Sequence, residues 1–281
     1  MTTKASTMQR GVNPGFYAIL VVAALFVLVP VFWMVSTALK PETELFSTPP
    51  KLWPSTPDFT AFTRVFTDYP FLDYFRNSLV VVLASTLISL VFSTLSAYGV
   101  SRFNFRGKGS FLTFLLISQM FPSIMLLIPY YKIFQTFGLV NTQAALILTY
   151  VSFTIPFCSW MMYGYFKSIP RELDEAASID GAGRFATFVR IVLPLTLPGV
   201  VATAIYSFVT GWNEYMFALI LTSSEDMKTV PVGIGQLIGQ YKIQWNDLMA
   251  SSLYAIIPLI IFFIFLQRYL ISGLTAGGVK S

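Results

Sequence analysis

Residues 16–39 read FYAILVVAALFVLVPVFWMVSTAL and contain no charged side chain. A bilayer core about 30 Å thick requires roughly 20 apolar residues of helix, so this stretch is long enough to cross a membrane. Its apolar length exceeds the roughly 7–15 residues that are typical of the hydrophobic region of a signal peptide. We therefore interpret it as a retained first transmembrane helix.

Apolar stretches of similar length recur along the rest of the chain. The whole sequence is 55% hydrophobic and only 11% charged, whereas soluble domains carry about 25% charged residues. Alternation with a period of two, the pattern of a membrane β-barrel, is absent from these stretches. The sequence predicts an all-α polytopic membrane protein, a single domain over residues 1–281 with six transmembrane helices at about 16–39, 76–100, 110–131, 143–166, 198–222 and 248–270.

Lysine and arginine concentrate in alternate connections between these helices. Cytoplasmic loops are enriched in both residue types, and this bias sets the orientation of a membrane protein. The enriched segments hold Lys4, Arg10, Arg102, Arg106, Lys108, Lys167, Arg171, Arg184, Arg190, Arg268 and Lys280. We therefore expect both termini to be cytoplasmic. The net charge of +5 is then a topology signal, and we expect no nucleic-acid partner.

The residues that most catalytic and metal sites need are scarce. The chain contains no histidine, and its single cysteine, Cys158, excludes an internal disulfide and a thiolate zinc site. The phosphate-binding pattern G-x-x-x-x-G-K-[ST] is also absent. We expect no catalytic residue, no cofactor and no metal, so active transport would draw its energy from a partner protein or an ion gradient.

The inner loop 167–197 carries a helix–turn–helix pattern. Pro170, followed by acidic residues, is typical of the start of a helix. Gly181 supplies the left-handed conformation that ends such a helix. A second short helix is predicted over about 183–192, and Pro194 discourages its continuation. The loop is therefore expected to fold outside the bilayer as two short helices.

The same loop contains a recognisable motif, E-A-A-x3-G-x9-I-x-L-P, formed by Glu175, Ala176, Ala177, Gly181, Ile191, Leu193 and Pro194. It resembles the coupling loop of permease subunits in bacterial ABC importers. Three further segments are similar to the maltose-type, MalG-like carbohydrate permeases: QMFP at 119–122, WNEY at 212–215 and the tail GLTAGGVK at 273–280. The resemblance covers most of the chain, and the outer loops match least.

The resemblance implies a type I ABC importer permease fold (MetI-like) in the lipid of the bacterial cytoplasmic membrane. It implies a second, homologous permease subunit, two ATP-binding ATPase subunits, an extracytoplasmic solute-binding protein and a sugar substrate. The residues implied to couple to the ATPase are Glu175, Ala176, Ala177, Asp180, Gly181, Ile191, Leu193 and Pro194. The tail residues Gly277 and Gly278 would reach the ATPase dimer interface.

Polar and aromatic residues near the outer ends of the helices are candidates for the translocation path: Tyr130, Trp212, Asn213 and Glu214. A carboxylate within a span costs about 2.5–3.5 kcal/mol on insertion scales, so Glu214 needs water or a partner. Glu214 either lines the path or bonds to a neighbouring helix such as that of Arg76 and Asn77. The residues favour the second, structural alternative, as they favour packing for the aromatic side chains.

The outer loops give weaker signals. Loop 40–73 is rich in proline but contains a short amphipathic helix, with Asp58 as its N-cap and Phe59, Phe62 and Phe66 on one face. The loop at about 223–247 is expected to be flexible because it is rich in glycine.

Several alternatives for the function stay open at this point. The sequence does not name the solute, which could be a sugar, a glycerol phosphate or an amino acid. An ion-driven carrier and a membrane enzyme are the alternatives from other classes. An enzyme would need a buried aspartate pair or serine–lysine dyad, and neither is spaced across facing helices.

Overall fold

A computed structural model describes residues 14–239 and 242–276 of the chain. Within these residues the regular structure is helical, apart from one isolated antiparallel bridge between Ile238 and Ile243. The expected all-α class is therefore confirmed. The α-helices are α1 (Pro14–Ala38), α2 (Thr60–Thr67), α3 (Phe71–Arg102), α4 (Lys108–Met120), α5 (Leu127–Thr136), α6 (Gln143–Ser168), α7 (Glu172–Ile179), α8 (Arg184–Thr187), α9 (Leu193–Leu195), α10 (Leu197–Trp212), α11 (Met216–Leu221), α12 (Val230–Gln236) and α13 (Trp245–Ala276).

Four of these helices, α1, α3, α6 and α13, are long and apolar enough to cross a membrane. Two bent pairs pass the same test together. The segment Lys108–Met120 meets Ser123–Thr136 at 93°, and Arg184–Leu195 meets Leu197–Trp212 at 75°. The described residues therefore hold four candidate spans, or up to six if each bent pair is one span.

Two predicted spans, at 110–131 and 198–222, are not continuous helices. The first breaks at Phe121, which adopts an extended conformation because the ring of Pro122 disfavours helical geometry at the preceding residue. The second breaks after Trp212, and α11 starts only at Met216. Here the Glu214 side chain accepts hydrogen bonds from backbone amides and so competes with continuation of the helix.

Helices α3 and α6 form the central pair of the fold, with α4 and α10 against α6 and with α1 and α10 against α13. Small hydroxyl side chains line the contact between α3 and α6. Ser89 and Thr154 share a hydrogen bond of 2.7 Å, and Ser96 donates to Ser159 at 3.1 Å. Small side chains let two membrane helices approach closely while their hydroxyls find partners across the contact.

The short helix predicted in loop 40–73 is α2. Its N-cap is Phe59 and not Asp58 as predicted, although the Asp58 carboxylate accepts a hydrogen bond from the Thr60 amide at 2.9 Å. The rings of Phe62 and Phe66 pack against Tyr254 of α13, with centroids 5.9 and 4.8 Å away, whereas Phe59 stays 64% exposed. The helix was therefore predictable, and its docking on α13 depends on the tertiary structure.

The prediction that 223–247 is a flexible loop is wrong for its central part, which forms α12. Glycine is needed there because α12 packs closely against a neighbouring side chain. A Cβ atom on Gly233 would lie 2.2 Å from Cδ2 of Tyr74, so only glycine lets α12 seat against that ring. Pro231, in the first turn of α12, also favours the helix because its fixed φ suits that position.

Candidate coupling surface and membrane cavity

Residues 167–197, which we term the coupling loop, fold as the predicted helix–turn–helix. Helix α7 ends before Gly181, whose φ of +79° lies in the left-handed region. The second helix runs further than predicted, because α8 continues through a π turn and α9 to Leu195. In the π turn the Leu193 amide bonds to the Phe188 carbonyl, five residues back, and this wider turn accommodates Pro194.

Arginine side chains attach the coupling loop to the end of α3. Arg102 forms an ion pair with Asp174 of α7 at 3.1 Å and donates to the Ile169 carbonyl at 3.2 Å. Arg171 donates to the Ser101 carbonyl at 2.9 Å. These contacts fix the loop in position relative to the central helix pair.

An apolar cluster beneath the loop strengthens this attachment. Phe188 is buried, and its ring centroid lies 4.5 Å from that of Tyr98 on α3 and 6.3 Å from that of Phe166 on α6. Met162 and Val192 complete the cluster and are fully buried. The loop therefore has a core of its own against the ends of α3 and α6.

The opposite face of the coupling loop is open. Ile179 is 87% exposed and lies on none of the candidate spans, and Phe185, at the start of the segment Arg184–Leu195, is 74% exposed. Glu175 and Ala176 are also exposed, and Ala177 is buried. Large apolar side chains on a polar protrusion are typical of a surface that binds a partner protein.

The other motif residues have differing positions. Glu175 lines a groove of about 300 Å³ together with Arg102 and Arg184. Asp180 and Pro194 are exposed, whereas Ile191 is half-buried and Leu193 packs against the apolar cluster. Gly277 and Gly278 lie outside the described residues, so their predicted contact stays a prediction.

A membrane cavity of about 420 Å³ opens between the broken helix pair α4–α5 and helices α6, α10 and α11. Its lining mixes aromatic rings with hydroxyl, amide and carboxylate groups. The lining residues are Ser118, Gln119, Phe121, Ser123, Leu126, Tyr130, Ser152, Phe153, Pro156, Tyr206, Thr210, Glu214 and Phe217.

Glu214 caps α11 from inside this cavity. Its carboxylate accepts hydrogen bonds from the backbone amides of Phe217 at 2.8 Å and Ala218 at 3.0 Å, and from the Tyr150 hydroxyl at 3.0 Å. The prediction that Glu214 bonds to the helix of Arg76 and Asn77 is wrong, because the neighbouring helix that Glu214 contacts is α6, through Tyr150. Asn77 instead bonds to backbone carbonyls of the segment before α12. The structural alternative is therefore met through Tyr150 of α6, and Glu214 also lines this cavity, whereas its place on the translocation path stays a prediction.

Tyr130 also faces the cavity. Its hydroxyl shares a hydrogen bond of 2.6 Å with Ser152, and its ring lies edge-on to Phe217 at 5.5 Å. Phe217 in turn stacks on Phe153 at 6.0 Å. The cavity wall therefore offers flat apolar rings next to hydrogen-bonding groups.

Trp212 and Asn213 do not share this cavity with Tyr130 and Glu214. Trp212 is buried, stacks on Phe208 at 5.8 Å and donates to the Ala255 carbonyl at 3.1 Å. Asn213 is exposed and, with Trp212, lines a different cavity against α12 and α13. The structure places Trp212 among the packing residues, which was the alternative that the sequence favoured for aromatic side chains.

Sequence reasoning missed several cavity residues, namely Ser152, Tyr206, Thr210 and Phe217. The available signal was weak, because each is a single polar or aromatic residue in an apolar helix. Across the described parts, 14–239 and 242–276, no group of three or more metal-ligating side chains comes together.

Residues 89–275 match the family described as binding-protein-dependent transport system inner membrane component. The chain belongs to this family. It is 37% identical to the inner membrane ABC transporter permease protein YcjP of Escherichia coli over 100% of both chains. It is 38% identical to the trehalose/maltose transport system permease protein MalG of Thermococcus litoralis, over 92% of this chain and 94% of the relative.

The fold agrees with this assignment. The crystal structure of a bacterial ABC transporter that imports the acidic polysaccharide alginate contains a chain that superposes with a TM-score of 0.79 at 23% identity, over 91% of this chain and 95% of that chain. The predicted resemblance to ABC importer permeases is therefore confirmed. The protein is a multi-pass permease component of the inner membrane and is not itself catalytic.

Proposed function

We propose that this permease imports a sugar, as one of two homologous permease subunits that together form the translocation path. Two ATPase subunits would bind the cytoplasmic face, and an extracytoplasmic protein would deliver the solute. Residues 1–281 would form one transmembrane domain with both termini in the cytoplasm. Support for the solute class comes from the MalG relative, which is named for trehalose and maltose transport.

The observation that carries the coupling role is the contrast between the two faces of the coupling loop. One face is attached to α3 through Arg102 and Asp174, while Ile179 and Phe185 protrude on the other. A partner that binds the protruding side chains would displace α7, and the ion pair between Asp174 and Arg102 would transmit this displacement to α3. We propose that an ATPase subunit is this partner, and that its closure drives a rigid-body rotation of the permease.

The chemistry of the membrane cavity supports a neutral sugar as the solute. The ring of Tyr130 suits an apolar face of a sugar, and Ser152 and Gln119 offer hydrogen bonds to its hydroxyls. The described lining of this cavity holds one carboxylate, Glu214, and no lysine or arginine. This charge pattern disfavours a glycerol phosphate, because an anionic solute would meet repulsion without a cation to bind it.

The coupling role is tested with the complete importer in liposomes, by measuring ATP hydrolysis and sugar uptake together. Glu175→Lys reverses an exposed charge, and Gly181→Pro excludes the φ of +79°. We expect both variants to assemble but to hydrolyse ATP with little uptake. The matched control is Asp226→Lys, an equal charge change at an exposed outer position. Normal uptake by both loop variants would refute the coupling role.

The solute path is tested separately by the concentration dependence of uptake. Ser152→Ala removes a hydroxyl from the membrane cavity, whereas Asn213→Ala changes a residue of the other cavity. We expect Ser152→Ala to raise the KM of uptake several-fold and Asn213→Ala to leave it unchanged. Equal KM values for both variants would remove the cavity from the proposed path.

A further inference from the structure

Another cavity, of about 530 Å³, lies where α3 and α6 end and α4 begins. Four cationic side chains line it, and we term it the basic pocket: Arg102, Lys108, Lys167 and Arg171. Ser101 and Ser168 add polar groups to its wall. The pocket adjoins the coupling loop but does not include the protruding Ile179 and Phe185.

Three of the four cations have no carboxylate partner. Arg102 is neutralised by Asp174, as described above. In the described part of the chain, neither Lys108, Lys167 nor Arg171 forms an ion pair, and Lys108 and Arg171 donate only to backbone carbonyls. One carboxylate, Glu172, lines the pocket, so its net charge remains positive. Such an unbalanced cluster attracts an anion.

Aromatic residues place this pocket at the level of lipid headgroups. Tyr163 lines the pocket, and its ring lies edge-on to Trp160 at 5.8 Å. Tyr165 is 37% exposed. With a rise of about 1.5 Å per residue, Lys167 lies roughly 6 Å beyond Tyr163 along α6. Tyrosine and tryptophan concentrate at the membrane–water interface, and lysine just beyond them reaches the phosphates.

The helix that borders the pocket also offers an apolar surface for acyl chains. Helix α4 begins at Lys108, and its next turns expose Phe114 to the extent of 64%. Phe114 lies about 9 Å further along α4 than Lys108, so an acyl chain that runs along the helix from an anion at Lys108 would reach it. A lipid fits both features, whereas a free anion would use only the charged one.

We propose that the basic pocket binds the phosphate headgroup of an anionic phospholipid in the cytoplasmic leaflet. Lys108, Lys167 and Arg171 donate hydrogen bonds to the phosphate oxygens, and the acyl chains lie along α4. Basic pockets between membrane helices on the cytoplasmic side are suited to this role. The inference rests on the proposed topology, which puts the coupling loop in the cytoplasm. Lipid bound here would brace the loop at its junction with the bilayer.

The test uses the complete importer in nanodiscs of phosphatidylcholine, with or without phosphatidylglycerol. Lipids that remain bound are identified by native mass spectrometry. The pocket variant is Lys108→Gln/Lys167→Gln/Arg171→Gln. The control, Arg76→Gln/Lys132→Gln/Arg190→Gln, removes the same charge from exposed cations outside the pocket. We expect the pocket variant to lose its preference for phosphatidylglycerol by about fivefold for each charge removed, and the control to retain it.

Two outcomes would overturn the proposal. One is an equal preference for phosphatidylglycerol in the pocket variant and the control, whether retained or lost by both. The other is displacement of the lipid by inorganic phosphate, which would identify a soluble anion as the ligand. If the triple variant fails to assemble, the lipid preference of Lys167→Gln alone tests the site. This variant should still fold, because Lys167 is exposed and forms no ion pair in the described structure. An unchanged preference in that variant refutes the site.

The topology is tested independently by cysteine labelling. Cys158 is buried and is the single cysteine of the chain, so a new cysteine reacts against a low background. Ser178→Cys, on the exposed part of α7, should react with an impermeant thiol reagent only from the cytoplasmic side. Labelling from outside would refute the topology, whereas cytoplasmic labelling without lipid preference would refute the lipid site alone.

Discussion

The guanidinium of Arg102, at the end of α3, lies 3.1 Å from the carboxylate of Asp174 on α7. The two residues are far apart in sequence and belong to different structural units, a spanning helix and the coupling loop. Both side chains are largely shielded from solvent, with 7% and 23% exposure. This ion pair is therefore one of the polar links between the coupling loop and α3, together with the hydrogen bond from Arg171 to the Ser101 carbonyl.

Asp174→Asn should weaken this link. The largely buried Arg102 guanidinium would then lack its counter-charge, which costs about 1–3 kcal/mol, so we expect lower thermal stability and a lower ratio of uptake to ATP hydrolysis. Asp226→Asn is the control, because Asp226 is an exposed aspartate outside the coupling loop and forms no ion pair in the described structure. Equal behaviour of the two variants would show that the ion pair does not couple the subunits.

The turn at Gly181 gives a second prediction. A Cβ atom at Gly181 or at Gly183 would meet nothing within 4 Å, so the two sites differ in backbone conformation and not in space. Gly181 has a φ of +79°, whereas Gly183 has a φ of −68°. We expect Gly181→Ala to destabilise the loop by about 1 kcal/mol and Gly183→Ala to be neutral. Urea unfolding of the importer measures the difference, and a similar cost at both sites would contradict the turn assignment.

The cap of α11 gives a third prediction. Glu214→Ala removes the carboxylate that accepts hydrogen bonds from two backbone amides and from the Tyr150 hydroxyl. We therefore expect the free energy of unfolding to fall by about 1–2 kcal/mol and the start of α11 to become less ordered. Tyr150→Phe removes only one of these bonds and should cost less. Thermal unfolding of both variants decides the order of the two effects. A larger cost for Tyr150→Phe would show that the cap is not the main role of Glu214.

A fourth prediction concerns the pH dependence of the stability of the segment between α11 and α12. The Lys228 ammonium and the Tyr74 hydroxyl, at 2.6 Å, lower the pKa of Glu225 from 4.5 to about 2. Because the folded pKa is the lower one, this stabilisation is present above pH 4.5 and is lost as the pH falls towards 2. Glu225 is exposed, so solvent screening reduces the contribution to about 1 kcal/mol.

The parent protein should lose about 1 kcal/mol of folding free energy through Glu225 between pH 6 and pH 3, and Glu225→Gln should not show this loss. Thermal unfolding at the two pH values measures the difference. Asp226→Asn serves as the control, since its exposed side chain makes none of these contacts. If both variants keep the acid dependence of the parent protein, the Glu225 cluster does not contribute to it.

Local signals in the sequence were sufficient for much of the fold. Apolar length predicted the long helices α1, α3, α6 and α13, because the membrane requirement acts on each stretch by itself. Backbone preferences predicted the turn at Gly181 and the end of α7. The breaks within 110–131 and 198–222 were missed, since a proline or a capping carboxylate in an apolar run is compatible with both a kinked and a broken helix.

For the candidate sites, too, some properties follow from the sequence and others depend on the tertiary structure. The sequence by itself determined that this is a membrane protein without catalytic chemistry and that loop 167–197 is a helix–turn–helix, because these properties depend on composition and on neighbours in the chain. Only the tertiary structure decided that Tyr130 and Glu214 share a cavity that excludes Trp212. It also decided that Arg102 pairs with Asp174, because such contacts depend on how helices distant in sequence pack against each other.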